Sequence, residues 1–151
     1  MRQSNLQRWT FIGMLALLSA VFFASAISKI IDPQLFVRDI SYYRLLPETS
    51  LNILALWLIM LELVIAAALW ISPWREAAAW LYAALMAIFV VMIAIAMLRG
   101  LDISCGCFGA NSQQVGWPKI LENGLLLILA VRVAMISRIE SSVQNSETIN
   151  K

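Results

Sequence analysis

Residues 9–28 of this chain carry no charged side chain, and neither do residues 77–98. A helix needs about 20 apolar residues to span roughly 30 Å of hydrocarbon. Each run therefore has the length and composition of a membrane-crossing helix. Residues 49–74 are apolar apart from Glu62, and 117–137 are interrupted by Glu122 and Arg132. The last two lie close enough to the ends of their segment to snorkel toward a headgroup layer. Composition agrees: 62% of the chain is hydrophobic and 13% charged, against about 45–50% and about 25% in soluble domains. A water-soluble fold of 151 residues has too little interior to hide that much apolar surface.

The expected architecture is all-α, an integral membrane four-helix bundle occupying residues 1–138. Its spans fall near 9–30, 50–72, 77–98 and 117–137, and residues 139–151 form a polar, partly disordered tail. Trp9, Trp70, Trp74, Trp80 and Trp117 fall at span ends, as an interfacial aromatic belt requires. The first span follows Arg2 and Arg8 and contains "ASA" at 24–26, a possible peptidase site, but it exceeds the 7–15 residues of a signal-peptide core. It is read as an uncleaved anchor.

Histidine is absent, which excludes His-ligated haem or zinc and His-based catalysis. Two cysteines cannot supply a Cys₄ site, so neither haem nor zinc is expected. The net charge of +2 is small and scattered, and nucleic acid is not an expected partner. Orientation rests on a narrow tally. Arg2, Arg8, Arg75, Arg132, Arg138 and Lys151 lie on the side of the termini, while Lys29, Arg38, Arg44, Arg99 and Lys119 lie opposite. The positive-inside rule then places both termini in the cytoplasm and loops 1 and 3 outside.

Loop 1 contains "DPQLFVRDISYYRLLP". Asp32 followed by Pro33 is a helix start, a capping residue and then proline at the first position. Phe36, Val37, Ile40 and Tyr43 recur at helical spacing, with Gln34, Arg38, Asp39 and Ser41 on the other side. The pattern predicts a short amphipathic helix in the headgroup region. Its role is either a packing cover for the bundle, or a lid beside loop 3 or a docking surface.

Glu62 sits about 16 Å into its span, near mid-membrane. A carboxylate there costs several kcal/mol unless it faces the bundle interior and is paired or neutralised. A structural role predicts a hydrogen bond to Ser19 or Ser25. A functional role predicts proton donation or contact with a quinone carbonyl.

The cysteines, Cys105 and Cys107, are separated by Gly106 in "RGLDISCGCFGANSQQVG". Fully extended, their Cα atoms would be about 7 Å apart, beyond the roughly 5.5–6 Å of a disulfide. Bridging needs a bend at the middle residue, which glycine tolerates. Closing so short a loop removes little chain entropy, and a strained bridge is readily reduced. The spacing favours a redox pair over a staple. Copper(I) capture by two thiolates and inert reduced thiols are the alternatives. Arg99, Lys119 and the loop 1 arginines are placed to stabilise a thiolate.

"SKIIDPQLF" after the first span, "YRLLP" before the second, "LEL" around Glu62 and "CGCFG" before the last span resemble the methylamine-utilisation MauE family, within the broader DoxX-like membrane proteins. The resemblance covers residues 10–137. It implies motif roles for Lys29, Asp32, Pro33, Tyr43, Arg44, Pro47, Glu62, Cys105, Gly106, Cys107 and Phe108. It departs at "ASAISK", where alanine stands for an expected glycine, and at Glu122, where a basic residue is expected. It further implies an inner-membrane protein serving redox maturation of periplasmic proteins, such as the disulfide-rich small subunit of methylamine dehydrogenase, with a thioredoxin-like partner. The expected function is thiol–disulfide exchange through Cys105 and Cys107, with Glu62 handling protons and a quinone as a candidate cofactor. The alternatives are a non-enzymatic anchor for a redox partner and copper handling. The sequence leaves open whether the chain oligomerises.

Overall fold

The computed structural model describes residues 5–42, 47–99 and 117–149. They form five helices: α1 (Asn5–Ile31), α2 (Pro33–Tyr42), α3 (Glu48–Ala68), α4 (Ser72–Leu98) and α5 (Trp117–Ile149). Four are long and apolar enough to cross a membrane, over Asn5–Ile31, Ser50–Ala68, Ser72–Leu98 and Trp117–Ser142. The chain is an all-α membrane helical bundle with one short helix between its first two spans.

Lipid is as apolar as leucine, so the helices gain little from hiding apolar surface and associate by close packing instead. The core shows this. Ala79 of α4 and Ala130 and Ala134 of α5 are fully buried beside Leu18, Phe22, Ile65, Tyr82 and Val133. Small side chains let backbones approach, and α4 against α5 is the most extensive pairing in the bundle. Phe22 of α1 stacks on Tyr82 of α4 with ring centroids 3.7 Å apart and planes 14° apart. On the outside, Ile53, Trp57, Met60 and Val64 of α3 and Ile88 and Val91 of α4 remain exposed.

The turn between α3 and α4 is shorter than hydropathy predicts. The helix α3 stops at Ala68 rather than 72, and α4 begins at Ser72 rather than 77. Arg75 and Glu76 read as loop charges, but Pro73 opens α4 and places both in its first turns. Arg75 Nε then donates to the Leu69 carbonyl at 3.1 Å, capping an orphan acceptor at the end of α3.

The last helix differs more. In place of a disordered tail from residue 139, α5 continues to Ile149. Beyond Gly124 the segment contains no glycine or proline to stop it. Its residues 140 and 141 also contact the start of α4. Arg75 Nη1 lies 3.8 Å from Glu140 Oε2, and Ser141 Oγ donates to Glu76 Oε2 at 3.4 Å.

The helix α2 starts as expected, with Asp32 Oδ1 accepting a hydrogen bond from the Leu35 amide at 3.0 Å. Phe36 is buried against Ala26 of α1 and Ala55 and Ile59 of α3, with Val37 and Ile40 beside it. Asp39 corrects the expected polar face, because it is only 2% exposed. Three residues beyond Phe36, it lies on the same side of the helix, and that side turns into the bundle.

Candidate functional site

Two opposite charges meet inside the bundle. Lys29 Nζ of α1 donates to Glu62 Oε1 of α3 at 2.5 Å, and each side chain is 1% exposed. The charge tally places Lys29, within the first span at 9–30, among the outer-side cations; it lies in the last turn of α1 with its ammonium buried. The helix α2 folds back over it, and the ammonium lies 4.7 Å from the ring centroid of Phe36 and 5.7 Å from that of Phe89. Both distances fall within the range of cation–π attraction. The cation is thus held by one carboxylate and two aromatic faces, shielded from bulk solvent.

Of the two serines expected near Glu62, one meets it. Ser25 hydrogen-bonds the carboxylate, while Ser19 Oγ donates to the Ala66 carbonyl at 3.0 Å. Glu62 Oε2, fully buried, has no hydrogen-bond partner, and neither does Nδ2 of Asn123, a 5%-exposed residue of α5. An unsatisfied buried polar atom costs about 1–3 kcal/mol. Both residues line one small cavity of about 20 Å³, together with Ser25 and Glu122. Asn123 escaped the sequence reading because a lone asparagine in an apolar run carries no directional signal. Its placement follows from how α5 packs.

A second ionic pair stands near the start of α5. Lys119 Nζ lies 2.7 Å from Glu122 Oε2, with side chains 6% and 43% exposed. The acidic residue that departs from the family pattern at 122 is therefore the partner of Lys119, one helical turn away. Arg99 ends α4 and Lys119 opens α5, so these cations flank the cysteine segment along the chain. Cys105, Gly106, Cys107 and Phe108 lie outside the described residues, as do Tyr43 and Arg44.

A larger cavity of about 470 Å³ opens between α2, α3 and α4. Its walls include Phe36, Trp57, Leu61, Phe89 and Met92, with Asp39 as a polar residue at the α2 side. The volume is that of a small-molecule pocket. Phe36 and Phe89 contribute to this wall and also flank the Lys29 ammonium, so they stand between the groove and the ion pair.

Fold and site together define a four-span membrane protein organised around an intramembrane Lys–Glu pair. The chain belongs to the MauE family, whose model, described as methylamine utilisation protein MauE, matches residues 7–136. It is 36% identical over 128 residues to the methylamine utilization protein MauE of Paracoccus denitrificans, covering 83% of this chain and 67% of the relative. It is 32% identical over 136 residues to that of Paracoccus versutus, covering 89% and 72%. No solved structure matches the chain significantly.

Proposed function

We propose that this chain is a redox accessory protein of the bacterial inner membrane, working by thiol–disulfide exchange at Cys105 and Cys107. It would act on the periplasmic side, for proteins of methylamine utilisation such as the methylamine dehydrogenase small subunit, or through a thioredoxin-like partner. The observation that carries the reading is family membership over nearly the whole span region, combined with a chain whose cysteines are a single Cys-Gly-Cys pair. The proposed orientation gains from Lys29, because a lysine inside the bundle no longer counts among the outer charges. With Lys119 buried as well, the tally becomes six against three instead of six against five, favouring cytoplasmic termini.

The exchange conserves atoms and electrons. A substrate thiolate attacks one sulfur of the Cys105–Cys107 disulfide and forms a mixed disulfide, releasing the other sulfur as thiolate. The substrate's second thiolate then attacks the substrate sulfur of the mixed disulfide and displaces the bound cysteine as a thiolate, leaving a substrate disulfide and, with the two protons the substrate thiols gave up, a Cys105/Cys107 dithiol. Two electrons pass to the pair, which must give them up before another turnover. An acceptor of the quinone class, taking two electrons and two protons, is a candidate for that step, and the walls of Phe36, Trp57, Leu61, Phe89 and Met92 would hold it.

Cys105→Ala and Cys107→Ala, each expressed in membranes beside the periplasmic fraction, provide the test. Thiol-sensitive covalent adducts are expected in at least one variant, together with loss of substrate disulfide formation in both. Full activity of both single variants and of the double variant would discard the exchange reading and leave the chain as an anchor for a redox partner.

A further inference from the structure

We propose that the small cavity between Glu62 and Asn123 is a water site, through which the buried ion pair exchanges protons with the end of the bundle that carries the cysteine segment. Two independent features meet there. The cavity, about 20 Å³, exceeds the roughly 10–15 Å³ that one water needs. Lining it are Glu62 and Asn123, each with a buried polar atom that lacks a partner, a carboxylate oxygen and a carboxamide nitrogen. One water satisfies both by donating to Glu62 Oε2 and accepting from Asn123 Nδ2–H. Its second O–H is then directed to Ser25 or Glu122 on the same wall. Exchanging the nitrogen and oxygen of the Asn123 amide still leaves both groups satisfied, the water then donating one O–H to each.

Without that molecule the Lys29–Glu62 pair is sealed by Phe22, Phe36 and Phe89. With it, the polar groups run from Lys29 through Glu62 and water to Asn123, Glu122 and Lys119. Lys119 and Glu122 lie in the first turns of α5, directly after the cysteine segment in the chain. The site deepens the exchange reading by giving Glu62 a proton route toward the start of α5, but its existence does not depend on that reading.

Infrared spectroscopy of the full chain in lipid, hydrated with D₂O and then with D₂¹⁸O, tests the water. A narrow O–D stretch that moves with the oxygen isotope is expected in the parent chain. It should vanish in Asn123→Leu, and also in Val21→Leu, which fills the cavity while leaving every polar partner in place. Far-UV circular dichroism shows that both variants keep their helices. Selective ¹⁵N labelling of Lys29, Lys119 and Lys151 tests the route, since ammonium exchange at Lys29 should slow by at least about tenfold in both variants. Cys105→Ser and Cys107→Ser should leave the band and the exchange rate unchanged, so failure of the thiol chemistry is distinguishable from failure of the water site. Absence of the band from the parent chain, or its persistence in both variants, overturns the site. Unchanged Lys29 exchange in both variants overturns the route.

Discussion

Lys29 and Glu62 carry the highest electrostatic stakes in the bundle because both side chains are buried away from bulk solvent. A buried pair gains little over a well-packed apolar pair, but stranding one partner costs about 3–5 kcal/mol. Glu62→Leu and Lys29→Met alone should therefore each lower unfolding free energy in mixed micelles by about that amount. The double variant, Lys29→Met with Glu62→Leu, should recover most of the loss. A cycle with no coupling between the two positions would mean that the pair does not hold α1 to α3. Half of this site was legible in the sequence. Counting residues along the second span puts Glu62 deep in hydrocarbon and demands an inward partner. Lys29 reads as an outer-side charge because it stands at the end of an apolar run, where lysines ordinarily reach for water. What brings it inside is α2, whose Phe36 closes over the ammonium.

At the scale of elements, α2 shows how a local signal and a tertiary one divide the work. The Asp-Pro start is local chemistry and is realised as an N-cap, Asp32 Oδ1 to the Leu35 amide. Removing that acceptor in Asp32→Ala should cost about 0.5–2 kcal/mol of helix stability. Hydrogen exchange should then speed up for amides within Pro33–Tyr42, with α4 and α5 unaffected; equal loss of protection throughout would show that α2 does not open on its own. The inward turn of Asp39 was not legible. Alternation of apolar and polar residues gives the likeness of a surface helix, but which stripe faces the protein depends on where Ala26, Ala55 and Ile59 leave room. The extension of α5 has a similar origin. Its last turns are polar and would be marginal alone; Glu140 and Ser141, just before them, contact Arg75 and Glu76 of α4.

For the molecule as a whole, the decisive quantity is how closely the spans approach. Ala130 is fully buried in the main core cluster, at the most extensive helix pairing. Ala130→Leu forces added volume into a packed site and should destabilise by about 1–3 kcal/mol. The loss should appear as a lower midpoint of thermal unfolding in lipid nanodiscs, while Ile128→Leu, on the exposed side of the same helix, should leave the midpoint in place. Equal responses would mean that α5 presents a different face to the bundle.

Four spans, a capped helix between the first two, and an inward-facing acid were determined by the sequence alone. Each follows from hydropathy, length or a capping rule acting within a few turns of chain, where neighbours in sequence are neighbours in space. Tertiary structure alone decided that Glu62 meets Lys29, 33 residues away, that Asn123 faces the same cavity, and that Asp39 is buried. Those outcomes depend on the rotation and depth of one helix against another. Close packing of small residues sets both, and no local property of the chain records them.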